Sequence, residues 1–421
     1  MFLYFLLIRI AALFGHPKAR KLVRGQHDTK ERLKAVQSDR SGGLIWIHAA
    51  SSGEFEQART LIEKLKLQNP KLRIVVTFFS PSGYEMHKNY ALADAVYYLP
   101  FATRRNARKF LDALQPSKAV FVKYEFWPAY IRELKKRDIP FYSICSIFRP
   151  EQYFFRLWGK GQLRLLRMFT NIYVQDEASR RLLAEHAVHN ASVAGDTRFD
   201  RMKAVMGNGL RDTDERLAPI AEFAEGCERV IVAGSTWPKD EQLLHCRIDK
   251  TETAQALKGT KLILVPHELS KKHLHFIFNL FKGRMVKYSA ITNDALQMTN
   301  ESRRNILRHA DVLLVDTMGL LSSIYRFGHV AYIGGGFGAG IHNTIEAAAY
   351  GLPVIFGPNY RRFREAQGLI DAGAGRSIRK YSELEDALET ALANHSELGA
   401  KASDYFASEL GATEKIIIDE R

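Results

Sequence analysis

Cysteine is scarce in this chain of 421 residues, which contains only Cys145, Cys227 and Cys246, all far apart. No CxxC pair is present, so the sequence predicts neither a disulfide framework nor a structural zinc site. HExxH is also missing, and His273 and His275 have a spacing that places them on different faces of a helix. These absences predict a chain without a metal or cofactor that folds in a reducing compartment.

Recognition motifs for nucleic acid are missing as well, although the chain is strongly basic. Lysine and arginine total 61 against 46 aspartates and glutamates, which gives a formal charge of +15. Such an excess predicts an anionic partner, which can be nucleic acid, a membrane surface or a phosphorylated substrate. Because neither a zinc-finger spacing nor an RNA-binding aromatic signature is present, we do not expect the partner to be nucleic acid.

No uninterrupted apolar run reaches the ~20 residues that cross a bilayer. The N-terminal stretch MFLYFLLIRIAALF is interrupted by Arg9, and it lacks the basic region and cleavage site of a signal peptide. A basic segment, GHPKARKLVR, follows at once. An apolar wedge with a basic collar favours association with an anionic membrane surface. The alternative is a first helix buried in the domain.

After residue 40, short β-rich runs alternate with amphipathic helical segments. Seven runs, from LIWIHAA to ASVAGDTRFD, precede a polar stretch over 201–228, and six more follow, from RVIVAGST to LPVIFGP. This alternation predicts two α/β domains, each a doubly wound parallel sheet covered by helices. The expected layout is an N-terminal membrane-associated segment over 1–25, domains over 26–205 and 206–400, and a C-terminal helix over 401–421 that can pack back on the first domain.

Glu54 follows a glycine in the first turn of a predicted helix, within LIWIHAASSGEFEQARTL. Ser51 and Glu54 have the spacing of a capping box, in which both satisfy free backbone N–H groups. A carboxylate at the carboxyl end of a strand can instead accept a proton as a general base, because doubly wound sheets bind ligands at that edge. The residues alone leave both interpretations open.

A glycine-rich turn, IGGGFGAGIHNTIEAAAYG, is the strongest feature of the second half. A predicted strand ends in it, and a helix is expected from Asn343 to Gly351, an arrangement that favours anion binding. The turn is not the dinucleotide fingerprint, because Ala339 and Ile341 stand where the last glycine would be. Glu346, one turn into the helix, is placed to accept hydrogen bonds from ribose hydroxyls.

Two further strand-end turns carry polar residues whose roles stay open. Ser235 and Thr236, in VAGSTWPKDE, can bind a phosphate or cap the following helix. Glu125, in KYEFWP, is either a second active-site acid or a polar residue satisfied by nearby backbone.

These turns, taken in order, resemble those of the 3-deoxy-D-manno-octulosonic acid (Kdo) transferases of lipopolysaccharide synthesis. HAASSGEFEQA is similar to His-Ala-x-Ser-x-Gly-Glu, YEFWP to Thr-Glu-Leu-Trp-Pro, and GDTRFD to Gly-Asn-x-Lys-Phe-Asp. AGSTWPKDE, DTMGLL and GAGIHNTIEAAAYGLPVIFGPNYRRFREA match later family motifs. The resemblance spans nearly the whole chain.

The resemblance implies a GT-B glycosyltransferase of family 30, with two Rossmann-like domains facing a central cleft. Such enzymes transfer Kdo from CMP-Kdo to a lipid A precursor (lipid IVA), invert the anomeric centre and need no metal. The domain over 26–205 would bind the acceptor and the domain over 206–400 the donor. Family members act at the cytoplasmic face of the inner membrane, where they are peripheral or anchored by the N-terminus.

The resemblance also implies roles for individual residues. Glu54 would be the general base and Glu125 a second catalytic acid, while Ser51, Ser52 and Gly53 would bind the acceptor. The expected CMP-Kdo site comprises Ser235, Thr236, Pro266, His267, Met318, Gly319, Leu320, Gly338, Gly340, Asn343, Thr344, Ile345 and Glu346. Because Glu54 lies in the first helical turn, we expect the helix dipole to keep it ionised.

The chain departs from the family pattern at three places, and two other functions stay possible. Pro266-His267-Glu268 stands where the family usually has Pro-Arg-His, and His267 can replace that arginine; Leu320 stands for a frequent glutamate and Ile341 for a glycine. The runner-up function is another GT-B glycolipid glycosyltransferase, or an epimerase, that uses a UDP-sugar. A non-enzymatic alternative is a membrane-attached nucleotide-binding adaptor.

Overall fold

The computed structural model describes residues 2–34, 43–156, 159–207, 214–249, 260–292 and 299–418. The chain divides into two compact units, the first comprising Met1–Arg201 with Glu409–Arg421 and the second Met202–Ser408. Each unit contains one seven-stranded parallel sheet with helices, so the predicted α/β class with two doubly wound sheets is confirmed.

The first sheet is built from strands β1 to β7. Their bounds are β1 Leu44–Ala49, β2 Arg73–Phe78, β3 Ala95–Tyr98, β4 Lys118–Val122, β5 Phe141–Ser146, β6 Asn171–Val174 and β7 Ala191–Val193. The strands are parallel in the order β3-β2-β1-β4-β5-β6-β7. The winding reverses between β1 and β4, so the carboxyl ends of these neighbours form the topological switch point, where such sheets bind ligands. We call it the first switch point.

Helices cover both faces of this sheet, which explains its almost continuous apolar strands. Trp46 packs into the core on one face with Phe110 and Phe121, while its neighbours Ile45 and Ile47 pack into the core on the other. The helices are α1 Phe2–Leu13, α2 Pro17–Lys34, α3 Ser52–Gln68, α4 Pro81–His87, α5 Arg104–Leu114, α6 Pro128–Lys136, α7 Lys160–Leu166, α8 Glu177–Glu185 and α9 Thr197–Gly207.

The second sheet is built from strands β8 to β14. Their bounds are β8 Arg229–Thr236, β9 Thr260–Pro266, β10 Met285–Lys287, β11 Val312–Leu314, β12 Val330–Ile333, β13 Val354–Phe356 and β14 Gly375–Ser377. The parallel order is β10-β11-β9-β8-β12-β13-β14, so β8 and β12 form the second switch point. β14 was not predicted, because its residues Gly-Arg-Ser form no apolar run.

Ten helices of the second unit flank this sheet within the described residues. They are α10 Ala218–Ala224, α11 Pro238–Asp249, α12 Lys271–Leu280, α13 Tyr288–Ile291, α14 Asn300–His309, α15 Leu321–Ile324, α16 Ile345–Ala349, α17 Arg364–Asp371, α18 Tyr381–Ala393 and α19 His395–Ser408.

The single helix expected over 401–421 does not form. Helix α19 ends at Ser408, Gly411 takes a left-handed conformation with φ +91°, and a short helix, α20 Ala412–Lys415, follows. Asp200 accepts the backbone N–H groups of Gly411 and Thr413 at 2.7 and 2.6 Å, which holds this segment within the first unit. Residues 419–421 lie outside the described residues.

Helix α1 contains the apolar stretch that the sequence places at a membrane or in the core. Phe5 is buried against Phe101 and Trp127, with ring centroids 4.6 and 6.2 Å apart. Leu13 and Phe14, at the other end, are 82% and 88% exposed. One part of this segment is therefore anchored in the first unit while the other part meets solvent. Within the described residues, every helix is too short or too polar to traverse a membrane.

Candidate functional site

Two carboxylates lie at the first switch point. Glu54 stands in the first turn of α3, which follows β1, and Glu125 comes three residues after β4 ends at Val122. The negative charge of Glu125 acts on Glu54 and raises its pKa, while Lys123 acts in the opposite direction. Lys123 has φ +56°, a conformation that is uncommon for residues other than glycine and that is found preferentially at functional sites. The fold therefore brings together the two acids that the sequence singled out.

Glu54 makes the expected capping contact, and one of its oxygens remains available. Its Oε2 accepts the backbone N–H of Ser51 at 2.9 Å and the Ser51 hydroxyl at 3.2 Å. Oε1 has no hydrogen-bond partner within the described residues, so capping and proton acceptance do not compete for the same atom.

Burial is the main influence on the pKa of Glu54. It raises the pKa from the ordinary value, and the charge of Glu125 raises it further, against the smaller lowering effects of Lys123 and Ser51. The helix dipole favours the ionised carboxylate, whereas burial and the charge of Glu125 act in the opposite direction, and the net pKa is raised. A raised pKa makes the carboxylate a better proton acceptor once it is ionised.

Glu125 is held by a buried network that the sequence did not reveal. Its Oε2 accepts the Trp127 indole N–H at 2.7 Å and lies 3.1 Å from His48 Nε2. His48 Nδ1 lies 3.0 Å from the carbonyl oxygen of Thr77 and 2.9 Å from its hydroxyl oxygen. The Trp127 indole N–H also lies 3.3 Å from His48 Nε2, so the three side chains form one connected network. The signal for His48 was a polar residue inside the apolar strand LIWIHAA.

The residues expected to bind the acceptor surround the start of α3. Gly53 is exposed, and a Cβ added there would meet no atom within 4 Å. Ser52 Oγ lies 2.8 Å from His87 Nε2. Ser51 is occupied by its contact with Glu54. Open space in front of Gly53 is thus the feature that lets another molecule approach this backbone.

The glycine-rich turn follows β12 at the second switch point and folds tightly on itself. The Gly338 N–H donates to Gly335 O at 2.9 Å, and the His342 N–H donates to Gly334 O at 3.1 Å. Gly335 has φ +90° and Gly340 φ +145°, which only glycine adopts at little cost. The conformation of this turn explains its glycine content.

The helix after the turn is shorter than predicted. It spans Ile345–Ala349 rather than Asn343 to Gly351, because Asn343 precedes the N-cap residue Thr344 and Gly351, with φ +67°, follows the C-cap residue Tyr350. Asn343 Oδ1 accepts the Ile345 N–H at 3.1 Å, and its amide donates to Glu346 Oε1 at 2.9 Å. The polar side chains expected to hold a nucleotide are therefore already connected to each other.

A buried carboxylate, Asp240, fixes the turn to the rest of the unit. It accepts the N–H groups of Gly335 and Trp237, both at 2.9 Å, and the Tyr332 hydroxyl at 2.8 Å. Burial raises its pKa, and these three hydrogen bonds act against that rise. Asp240 supports the turn from behind, a role not visible in the sequence.

Thr236 and Ser235, at the end of β8, differ in availability. The buried Thr236 hydroxyl donates to Glu241 Oε1 at 2.9 Å, while Glu241 Oε2 lies 2.9 Å from His273 Nε2. The Thr236 hydroxyl therefore already donates its hydrogen within the second unit. Ser235 has φ +54° and is only partly buried, so it is the better placed of the two to contact a ligand.

Three aromatic rings stack where the family usually has an arginine. His267 lies between Trp237 and His342, with centroids 4.9 and 4.2 Å away. Burial, with a contribution from His267, lowers the pKa of His342 to about 4, so this imidazole is neutral near pH 7. Because its Nε2 accepts the Trp237 indole N–H at 3.1 Å, the proton is on Nδ1, which can donate to a ligand.

The remaining residues expected at the donor site are partly exposed and partly buried. Met318 is 72% exposed, and Gly319 beside it has φ +85°. The Leu320 side chain is fully buried in the core, so only its backbone can face a ligand. The Thr344 hydroxyl is buried without a hydrogen-bond partner within the described residues. Pro266, Gly338 and Ile345 lie at the end of β9, in the turn and at the start of α16.

A metal ion has no evident ligand set in the described part of the chain, where no group of three or more histidine, cysteine, aspartate or glutamate side chains converges. The independence from metal that the resemblance implies stays a prediction.

The sequence is similar to those of known proteins. A family model described as 3-deoxy-D-manno-octulosonic-acid transferase (kdotransferase) matches residues 27–201. A 3-deoxy-D-manno-octulosonic acid transferase of Rickettsia felis is 27% identical, and the alignment covers 97% of this chain and 87% of the relative. A transferase of the same name from Haemophilus influenzae is 27% identical, with coverage of 83% and 78%.

Among solved structures, the fold is similar to that of UDP-GlcNAc 2-epimerase from Neisseria meningitidis. The TM-score is 0.62 at 14% identity, over 88% of this chain and 97% of the epimerase. At this identity the likeness concerns the fold alone, and it supports the GT-B type of architecture.

Proposed function

We propose that the chain is a Kdo transferase, a glycosyltransferase that moves Kdo from CMP-Kdo to a lipid A precursor in lipopolysaccharide biosynthesis, because it is similar to the Kdo transferase family model and to named Kdo transferases. The observation that carries the proposal is that the similarity to named Kdo transferases runs through both units and so includes both switch points. The first unit would bind the acceptor, lipid IVA or a close relative, and the second unit the donor.

The proposed reaction is a single displacement at the anomeric carbon of Kdo. An acceptor hydroxyl oxygen forms the new bond to that carbon while its proton passes to Glu54 Oε1, which has no other partner within the described residues. The bond between the carbon and the phosphate oxygen breaks, and CMP leaves with the electron pair. One displacement inverts the anomeric centre.

Glu125 serves this reaction in two ways in our proposal. Its charge keeps the pKa of Glu54 raised. Its contacts with His48 and Trp127 hold the carboxylate in one position, from which it can orient a sugar hydroxyl. His48 acts as a positioning residue, since its contacts are with Glu125, Thr77 and Trp127.

The leaving CMP would be stabilised at the second switch point. Its phosphate gains negative charge as the bond breaks, and preorganised donors at that position lower the barrier. His342 Nδ1–H is a neutral donor there, and Ser235 and the backbone of the glycine-rich turn are further candidates. Glu346 would bind the ribose, and Met318 with Gly319 would border the cytosine.

An assay with the full chain tests the proposal. CMP-Kdo and a tetra-acylated lipid A precursor are incubated with the protein, and mass spectrometry of the lipid should show added Kdo. CMP should also raise the melting temperature by preferential binding to the folded chain, whereas UDP should not. Protection by UDP alone would favour a UDP-sugar enzyme, and protection by CMP without turnover would favour a nucleotide-binding adaptor.

We further propose that α1 attaches the chain to the cytoplasmic face of the inner membrane. Phe5 fixes the helix to the first unit, and the exposed Leu13 and Phe14 form an apolar end. Lys18 and Lys21 follow in α2, where they can meet anionic headgroups. An apolar end with a basic collar binds membranes by burial and by charge together.

Replacement of both exposed side chains is expected to release the protein from vesicles. Leu13→Ser/Phe14→Ser should weaken binding to phosphatidylglycerol vesicles by at least roughly tenfold, because two large apolar side chains no longer enter the bilayer. Cosedimentation measures this. Leu67→Ser, at a residue of α3 that is 85% exposed, is the control and should bind normally. Equal weakening in the control, or a native chain that stays in solution, would contradict membrane attachment through α1.

A further inference from the structure

A cavity of 920 Å³ lies in the second unit beside the glycine-rich turn. Its walls come from the turn itself, from the loop after β13 and from the connection between β14 and α18. Only Gly338 is shared with the residues expected to bind the donor. We call this cavity the arginine pocket, because its charged lining consists of Arg361, Arg362, Arg376, Arg379 and Glu383.

The shape of the arginine pocket is fixed by its backbone. The Asn359 N–H donates to Gly336 O at 3.0 Å, and the Asn359 amide donates to Gly338 O at 2.8 Å, so the loop after β13 is tied to the turn. Ser377 Oγ donates to Gly357 O at 3.3 Å and ties β14 to the same loop. A cavity with such walls needs little rearrangement to receive a ligand.

The charges around the pocket are unbalanced. Within the described residues, the guanidinium groups of Arg361, Arg376 and Arg379 have no carboxylate partner. Glu383, the acid of the lining, accepts the backbone N–H of Arg379 at 2.8 Å. By contrast, Arg303 in the same unit forms a close pair with Glu222 at 2.7 Å. Cations that converge on a cavity without matching acids attract an anion.

We propose that the arginine pocket binds the phosphomonoester group of a phosphorylated sugar. A guanidinium group matches phosphate oxygens with two parallel N–H donors, and several arginines suit a dianion better than a single carboxylate. The volume lies within the ~300–1,000 Å³ of small-molecule pockets and exceeds what a bare phosphate would fill. Apart from Gly338, no residue that lines this pocket is assigned to the proposed donor or acceptor site, so the inference does not depend on the transfer reaction.

Calorimetric titration of the full chain with glucose 1-phosphate tests the site. Arg376→Gln/Arg379→Gln should weaken binding by roughly tenfold or more, because two charge-assisted contacts are lost. Lys282→Gln/Arg308→Gln removes the same charge from exposed positions of the second unit and should bind as the native chain does. CMP affinity should stay unchanged in both variants, and glucose should not bind.

The source of the phosphomonoester is distinguished by competition. Displacement of glucose 1-phosphate by phosphatidic acid vesicles would indicate a lipid-borne group, and lack of displacement a soluble sugar phosphate. The proposal is overturned if the native chain shows no saturable binding, if the control variant weakens binding equally, or if CMP displaces the sugar phosphate, since the pocket would then belong to the nucleotide site.

Discussion

Glu54→Gln is expected to fold normally and to lose Kdo transfer by about 10²–10⁴-fold, the usual contribution of a general base. Glutamine still accepts the N–H and hydroxyl of Ser51, so the start of α3 remains capped. It cannot take a proton from the acceptor hydroxyl. Steady-state kinetics should therefore show a fall in kcat with little change in KM for the acceptor.

The stability of this variant is predicted by the direction of the pKa shift. Since the pKa of Glu54 is raised in the folded chain, the folded chain binds this proton more tightly than the unfolded chain. The resulting contribution to stability is present at low pH and is lost as pH rises through the raised pKa. At neutral pH the glutamine variant should consequently melt at the same or a higher temperature.

Glu63→Gln is the matched control, because Glu63 lies on the same helix and pairs with Arg201 at 3.3 Å. It should retain native turnover. Native turnover in Glu54→Gln would instead return Glu54 to a purely structural capping role. A large fall in melting temperature would mean that activity was lost with the fold.

Glu125→Gln is expected to lower turnover by about tenfold or more and to move the acid limb of the pH–rate profile to lower pH. The shift has this sign because the Glu125 charge raises the pKa of Glu54, so its removal lets Glu54 ionise at lower pH. Glutamine can still accept the Trp127 indole N–H, which keeps the local geometry. The two effects together separate a role in charge from a role in packing.

The control for Glu125 is Glu133→Gln. The Glu133 side chain is 15% exposed, close to the 14% of Glu125, and it forms a salt bridge with Arg137. Glu133 lies in α6 and does not contact Glu54. Its pH profile should match that of the native chain. An unshifted or upward-shifted acid limb in Glu125→Gln would show that the two acids do not interact.

Most of the fold could be predicted because parallel sheets covered on both faces need apolar strands. LIWIHAA and LRIVVTFF cannot form exposed elements, and the helices between them require parallel crossovers. The missed strand β14 lies at a sheet edge, where one partner and few apolar contacts suffice. The other edge strands, β3, β7 and β10, were predicted because each contains apolar residues, whereas Gly375–Ser377 contains none.

The sequence predicts the site residues that come directly after strands. It does not predict side-chain contacts between segments that are far apart in the chain. Glu54 and Glu125 are 71 positions apart, yet β1 and β4 are neighbours, and the switch-point rule identifies both acids. The contact between His48 and Glu125 depends on the register of β1 against β4, which the sequence does not display. The sequence also does not reveal the hydrogen bond from the Thr236 hydroxyl to Glu241, or that arginines from separate segments line one pocket.

The contact of Phe5 with Trp127 has a practical consequence for anyone shortening the chain. Phe5 packs against Trp127, and the Trp127 indole N–H donates to Glu125. Deletion of the first helix would therefore remove a packing contact of the residue that holds Glu125, in addition to removing the apolar segment itself. Kinetic comparisons between the whole chain and shortened versions would then mix loss of the proposed membrane attachment with a change at Glu125. Point changes at the far tip of the helix, which leave Phe5 in place, separate the two.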